Sequence, residues 1–514
     1  MGRASRGRGE EDRRGALAEA EGREVTFVSG GCPTVGVIGG GFTGAVVAAT
    51  LARDKSMEGW QIAVFEPRER LGCGLAYDTD DPAHRVNVPA GRMSLDPDDA
   101  DHFIRWMELR GEPRDDRDAQ AADGYLYPRR GLFGRYVADA VAPHLGNGRI
   151  VHHRQRVISV ERRGGDWEIR GDAGTTLRAD ILVIATTHPA PAAPAGIDSV
   201  LQGHPRYVAD TTAPGALAAI RPDDHVLIIG TGLTAADVIA SLRTTGRTGP
   251  ITAFSRRGLR SAGHAAQAQE PYGDFTGAPS RTATDLLVRV RRAVADAEAD
   301  GFSWHAVFDA LRSQGGEIWR GLPLTERRRL IRHLRPFWDV HRFRIAPQID
   351  AIVRAGLQSG GIRILAGRID RLERNGDEIA ATFRRRHGAG IEHWSVDAVV
   401  ITTGPAHKSV LKSQPWLETL SADGYLQPDA VGLGVACSET SRALDSEGRE
   451  METLFIAGPL ARGTFGELMG LPQVNDHAIF VAEQVAALAR GQGAAKAAPS
   501  RDDGLEASRA ASTS

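Results

Sequence analysis

Two short glycine patterns carry the clearest chemistry in this sequence. The first is Gly39-x-Gly41-x-x-Gly44, directly after the apolar run Val35–Ile38 and before the helix-forming stretch Ala45–Ala52. This spacing suits a dinucleotide pyrophosphate. The first glycine permits a sharp turn, the second lets phosphate approach the backbone, and the third lets helix and strand pack closely. The N–H groups at the helix start, around Phe42 and Thr43, then face the phosphates. A further apolar run, Gln61–Phe65, ends in Glu66, about 27 residues beyond Gly39. A carboxylate there can accept hydrogen bonds from ribose hydroxyls. The competing reading is a glycine-rich turn without a ligand; a strand before, a helix after and the acid that ends the next strand favour the nucleotide.

The same grammar recurs at His225–Leu242. A strand leads to Gly230-x-Gly232-x-x-Ala235 and then a helix, with Leu233 and Thr234 among the expected cofactor contacts. The next strand, Ile251–Phe254, ends in Ser255-Arg256-Arg257-Gly258, with no acid. A carboxylate here would repel a 2′-phosphate, whereas arginine would hold it. Arg256 and Arg257 therefore point to NADPH; two solvated loop arginines, with NADH as the cofactor, are the alternative. Two dinucleotide sites of different character suggest a relay, with FAD at the first and NADPH at the second.

The elements that must position these turns also come in pairs. Glu168–Ile184 and Asp377–Ile401 both read as short antiparallel strands leading into a buried apolar strand. Their exits, Arg178–Pro194 and Val396–Pro405, close on small residues and prolines, as a chain crossing between domains would. Thr453–Gly458 then supplies another apolar strand, and Pro472–Ala489 a long helix whose start could face an anion. The expected class is α/β, with two nested Rossmann-like dinucleotide-binding domains and a helical insertion. The expected boundaries are a tail at 1–30, the first part of the FAD-binding domain at 31–190, and an NAD(P)H-binding domain at 191–405 with its insertion at about 280–353. The FAD-binding domain returns at 406–490, and a second tail covers 491–514.

Composition narrows the function classes. Lys and Arg total 63 against 65 Asp and Glu, a net charge of −2. That balance argues against nucleic acid as the main partner, which normally leaves a basic excess. Three cysteines in 514 residues exclude a disulfide-built scaffold. The first ~25 residues mix both charge signs without an apolar run, so neither a signal nor a transit peptide is expected; a cytoplasmic protein is. Thr34–Ala52 is uncharged over nineteen residues but holds five glycines, so it reads as strand, turn and helix rather than a membrane span. The 16 histidines show no metal-ligand spacing, and His152-His153 reads as a strand-edge pair. Cys73 has no nearby thiol and reads as a packed small residue rather than a redox centre. Glycine, at 60 of 514 residues, is the compositional outlier, about 12% against a typical ~7%.

The sequence also resembles a known family. Gly39–Ala45, Glu66-Pro67 and Leu71–Leu95 are similar to the FAD/NAD(P)-binding flavoproteins that include FAD-dependent urate hydroxylase and an aspartate N-hydroxylating monooxygenase. The likeness continues through Tyr207–Val238, Phe254–Leu259, Arg335–Pro347 and Phe455–Pro472. The resemblance implies a glutathione-reductase-like flavoprotein fold, bound FAD, reduction by NAD(P)H and oxygen activation for hydroxylation. It also implies that Gly74, Leu75, Asn87 and Gly458 lie beside the flavin. Ordinary loop packing is the alternative for the loops around Gly74 and Asn87. Departures occur at Asp210-Thr211-Thr212, Ala185-Thr186-Thr187, Gly466-Glu467 and Met469-Gly470. The last two sets are expected to give a more open pocket.

Within the insertion, Leu286, Leu287, Val290 and Val294 recur at helical spacing, so one face should pack inward. Its end carries His341, Arg342 and Arg344 beside Trp338 and Phe343, which suits an anionic or planar substrate. Ion-paired structural arginines are the alternative. The expected function is an FAD-dependent, NADPH-reduced monooxygenase that takes molecular oxygen and a small polar or anionic metabolite, an amino-acid amine or a purine-like heterocycle. A flavin oxidoreductase serving another acceptor and a non-catalytic flavin-fold binding protein are the alternatives. Oligomeric state leaves no signature.

Overall fold

The structure, a computed structural model, describes residues 26–28, 31–112, 115–189, 191–405 and 407–497. Residues 1–25 and 498–514, which make up most of the two expected tails, lie outside the described residues. Among the described residues the strands form three sheets.

In the first sheet, β2 (Thr34–Ile38), β3 (Gln61–Phe65), β4 (Ile150–His153), β8 (Ile181–Ile184) and β17 (Glu450–Ile456) run parallel in the order β17-β8-β2-β3-β4. β16 (Arg442–Leu444) adds an antiparallel edge. His152 and His153 end β4, the edge strand, as expected.

In the second sheet, β9 (Tyr207–Val208), β10 (Val226–Ile229), β11 (Ile251–Ser255), β12 (Ile362–Asn375) and β15 (Ala398–Ile401) run parallel in the order β12-β11-β10-β15-β9. Within the same sheet β12 also pairs antiparallel with β13 (Glu378–Arg385), which pairs with β14 (Ile391–Val396). The third sheet is the antiparallel meander β5 (Val157–Arg163), β6 (Asp166–Gly171) and β7 (Thr175–Ala179), with β1 (Thr26–Val28) parallel to β7.

The chain leaves the first sheet after β8, builds the second, and returns to lay β17 beside β8. This is the nested α/β architecture that the paired modules predict. Continuous apolar runs form the central strands because a parallel sheet is covered on both faces: every residue of β2, β8, β10 and β15 is buried. Gly36 shows how close that cover is. A Cβ there would come within 2.5 Å of Ile169 Cδ1, a residue of the meander.

The helices that frame the site are α1 (Phe42–Arg53), α2 (Arg130–Gly146), α3 (Leu233–Thr244), α4 (Ala283–Ala299), α5 (Trp304–Ser313), α6 (Gly315–Gly321), α7 (Leu324–His333), α8 (Arg335–Arg342), α9 (Pro347–Gln358) and α10 (Gln473–Ala497); other helices, among them His102–Arg110 and Pro415–Ala422, lie between. Helices α4–α8 form the insertion and hold their own apolar cluster around Phe275, Leu286, Val307, Leu311 and Leu322. Val290 and Val294 pack against it, as their spacing predicts. Helix α9 behaves differently: Ile349 and Val353 join the main core with Ile239 of α3. It is the crossover that feeds β12, so the insertion's own helices stop at Arg342, short of 353.

One apolar cluster runs from Val35 and Val183 in the first sheet to Ile228 and Val400 in the second. Arg130 on α2 forks onto Asp237 on α3 at 3.0 and 3.2 Å, and Ser241 Oγ lies 3.3 Å from His84 Nε2. Two stretches read as tail are structured: Thr26–Val28 is a strand, and α10 runs to Ala497. Three residues are too few to show a strand period, and α10 is extended by small helix formers that carry no core pattern. No helix among the described residues is long and apolar enough to cross a membrane.

Candidate functional site

At the first turn, Gly39 has φ +96°, and a Cβ on it would sit 2.8 Å from the Ala185 carbonyl oxygen. A Cβ on Gly44 would sit 1.8 Å from Gly39 O, so α1 packs on the turn at a distance only glycine allows. Gly41 meets only Gly74 Cα, at 3.3 Å, and caps α1 with no side-chain acceptor. The first N–H groups of α1, beginning at Phe42 and Thr43, are thus left to an outside acceptor. No acidic residue in the first helical turn offsets the positive end of the helix. These features fit a bound pyrophosphate.

Glu66 is buried, and its carboxylate is partly engaged. It accepts from Gly40 N at 3.1 Å and from Arg68 N and Nη1 at 3.1 and 3.2 Å. The acid therefore braces the glycine turn as well as ending β3. Gly74, at φ +53°, brings its loop against the same turn, and Leu75 stands 42% exposed there. Gly458, at φ +70°, closes from the returning chain against Thr43. Its N–H donates to His477 Nδ1 at 3.1 Å, and His477 Nε2 lies 2.9 Å from Ser441 Oγ. Burial pushes His477 down to about 4, so the ring is neutral and free to accept.

The second turn repeats the design. Gly230 has φ +127°, and a Cβ there would lie 2.4 Å from Thr402 O, whereas a Cβ on Gly232 would meet no atom within 4 Å. Helix α3 also opens without a side-chain cap or an acid in its first turn. Thr231 Oγ1 donates to Leu259 O at 2.5 Å, which ties the turn to the arginine loop after β11. Ser255 Oγ accepts from Gly258 N at 3.0 Å and shapes that loop. Arg256 is exposed, and the Arg257 guanidinium lies over the Phe337 ring at 5.0 Å.

A cavity of about 330 Å³ lies where the modules and the insertion meet. Tyr77, Asn87 and Arg92 line it from the first module, Leu233 and Thr234 from the start of α3, and Met469–Leu471 from the returning chain. The insertion side supplies His264, His305, Asp309, Arg312, Arg342 and Arg344. Asn87 joins the two sides. Its Oδ1 accepts from Ala346 N at 3.2 Å, and its carbonyl accepts from His264 Nε2 at 3.0 Å. Burial pushes both His264 and His305 down to about 4, so neither ring is charged at neutral pH.

Of the three expected substrate residues, Arg342 and Arg344 line the cavity and His341 does not. The His341 ring stacks on Phe308 and meets Trp304 edge-on inside the insertion. Both arginines are ion-paired. Arg342 is bound to Glu467 at 2.7 Å, and Arg344 to Asp309 at 3.0 Å. The sequence did not single out Arg92 or Arg312. Arg312 donates to Gln473 Oε1 and Leu471 O and forms no ion pair among the described residues; burial, with Arg342 close by, pushes it down to about 9. Arg92 is exposed toward the cavity and forms no ion pair among those residues either. No local spacing links positions 92 and 312, so only the fold brings them together.

The expected opening at Gly466 is not found. A Cβ there would lie 2.7 Å from Trp319 Cγ, and Trp319 Nε1 donates to Gly463 O at 2.9 Å. An insertion side chain fills the space in front of Gly466. Cys73 is buried and donates to Gly134 O at 3.4 Å; burial pushes its thiol up, so it is packed and protonated.

Residues 36–189 match a family model described as FAD-NAD(P)-binding. Salicylate hydroxylase of Pseudomonas putida is 27% identical over 176 residues, which span 33% of this chain and 37% of the hydroxylase. Ornithine hydroxylase of Pseudomonas aeruginosa superposes with a TM-score of 0.59 at 16% identity, over 89% of this chain and 99% of that one. The ornithine N-hydroxylase of Kutzneria sp. 744, solved with reduced FAD, NADP+ and L-ornithine, gives 0.57 at 16% identity, over 90% and 99%. Residues 36–189 are thus similar to an FAD-NAD(P)-binding segment, and about nine-tenths of the chain shares its fold with these two ornithine hydroxylases.

Proposed function

We propose that the protein is an FAD-dependent, NADPH-reduced monooxygenase that hydroxylates a small anionic metabolite, either an amino-acid amine or a purine-like heterocycle. One observation carries this reading: a single cavity is shared by the flavin-side loops, the start of the second nucleotide helix and an arginine-rich insertion. FAD bound at Gly39–Gly44 would supply hydride acceptance and oxygen activation.

The chain's own residues would then bind, orient and seal. The N–H groups of α1 and α3 hold the two pyrophosphates, Glu66 the adenosine ribose of FAD, and Arg256 and Arg257 the 2′-phosphate of NADPH. Arg92 and Arg312 are the cavity arginines that form no ion pair among the described residues, and they receive the substrate's acidic group. Arg342 and Arg344, neutralised by Glu467 and Asp309, shape the wall instead. Phe343, Met469 and Leu471 supply apolar cover that keeps water from the reacting centre. The neutral rings of His264 and His305 add no charge that would compete with the arginines.

The test is to purify the full chain, measure its flavin absorbance, and follow NADPH oxidation with aspartate, ornithine, lysine, urate and related purines. Product masses report the outcome. One added oxygen atom in any product supports the proposal. NADPH consumption with an artificial acceptor, and no oxygenated product, assigns the chain to electron transfer instead.

A further inference from the structure

Phe337 is a large apolar side chain left 42% exposed, and nothing in the cavity uses it. It lies on α8, which the sequence reads only as part of a substrate-side insertion. Its position is well fixed. Arg335 and Asp339 pair across one turn of the helix at 3.3 Å, and the Val340 carbonyl accepts from Ala262 N at 2.9 Å. Above its ring, at 5.0 Å, lies the Arg257 guanidinium.

Arg257 emerges from the C-terminal end of β11, which runs parallel to β10 and its glycine turn. The Thr231–Leu259 hydrogen bond fastens the arginine loop to that turn. Neither Arg256 nor Arg257 forms an ion pair among the described residues. A guanidinium resting on an aromatic face keeps its other face free for a flat, electron-rich ring. The exposed Arg256 beside it keeps all its donors for an oxyanion.

We infer that the helical insertion completes the second nucleotide site: Phe337 backs Arg257 as a platform for the adenine, while Arg256 takes the 2′-phosphate. The ligand class is a 2′-phosphoadenosine. The inference rests on the reading of this site as the NADPH site and divides between the two arginines a task that sequence assigns to both. Phe337 is a positioning residue, acting through Arg257. The same short helix carries Arg342 at its other end, so one element borders both the adenosine end and the substrate cavity.

The test is calorimetric binding of 2′,5′-ADP to the flavin-loaded full chain, alongside Phe337→Ala, Phe337→Tyr, Arg257→Ala and the Phe337→Ala/Arg257→Ala double variant. The wild type should bind. Phe337→Ala should bind about fivefold more weakly, Phe337→Tyr like the wild type, and the double variant no worse than Arg257→Ala alone. Flavin content should be the same in all. Failure of the wild type to bind overturns the NADPH reading of the site, and this inference with it. Binding by the wild type with no loss in Phe337→Ala overturns this inference alone. So does an additive loss in the double variant, or an equal loss in the alanine and tyrosine variants.

Discussion

Gly232→Ala separates a ligand's requirement for glycine from the fold's. Its backbone, at φ −87° and ψ −156°, is open to any L-residue, and an added Cβ would meet no atom within 4 Å. Folding should therefore tolerate the methyl, and the loss of unfolded-state freedom should stabilise the chain by about 0.4–1 kcal/mol. The empty space in front of Gly232 is where, in the proposed function, phosphate approaches the start of α3. A methyl there pushes phosphate off the N–H groups, and each charge-assisted hydrogen bond broken in this way costs about 1.5–3 kcal/mol. Breaking one weakens binding about ten- to a hundredfold.

Gly230→Ala is the control with the opposite profile. At φ +127°, with Thr402 O 2.4 Å from the new Cβ, it should destabilise by more than ~1–2 kcal/mol before any ligand is considered. The assay is thermal unfolding with and without NADP+, together with calorimetric NADP+ affinity and flavin content. Gly232→Ala should melt at or slightly above the wild type, keep its flavin and lose NADP+ binding. Wild-type NADP+ affinity in this variant would falsify the phosphate assignment; a lowered melting temperature would refute the claim that the space is free.

The remaining predictions concern the cavity and the buried groups. Arg92→Gln, which breaks no ion pair among the described residues, should raise the KM of an acidic substrate about tenfold or more and leave flavin content alone; an unchanged KM would reassign the substrate's acidic group. Glu467→Ala leaves the buried Arg342 charge unmatched and should cost about 3–5 kcal/mol. The pairing Glu467→Leu with Arg342→Met should recover most of it in urea denaturation. His188 and His477 are held down to about 4 and His407 to about 3, chiefly by burial, against 6.5 for a free ring. Below about pH 6.5 the unfolded chain takes up protons that these buried rings refuse, so stability is full above that pH and falls as pH drops toward 4. The slope is up to ~1.4 kcal/mol per pH unit per ring. A melting temperature unchanged between pH 7.5 and pH 5 would count against neutral burial. Cys73→Ala should leave NADPH oxidation intact; loss of turnover at unchanged flavin content would restore a thiol to the mechanism.

The parts of this fold visible in the sequence are those that local geometry dictates. Gly39 and Gly230 sit at positive φ beside a neighbouring strand, so the turn has to be spelled in glycine, and the buried strands read as apolar runs. The paired exits near Pro191 and Pro405, which form an isolated bridge, also follow from local residue types. What sequence hides is partnership. Arg342 and Arg344 look available until Glu467 and Asp309 are seen against them. Arg92 and Arg312 look unremarkable until folding gives them one cavity and leaves both out of the ion pairs formed among the described residues. The opening expected at Gly466 is closed by Trp319, about 150 positions earlier in the chain.

The strand at Thr26–Val28 matters to anyone shortening this protein. Trimming to residue 31, the expected start of the first domain, would strip the neighbour from the outer side of β7. The exposed row of N–H and C=O groups invites another chain to pair there. A truncated preparation that clumps would then be reporting a missing backbone partner, and a start site upstream of Thr26 should cure it.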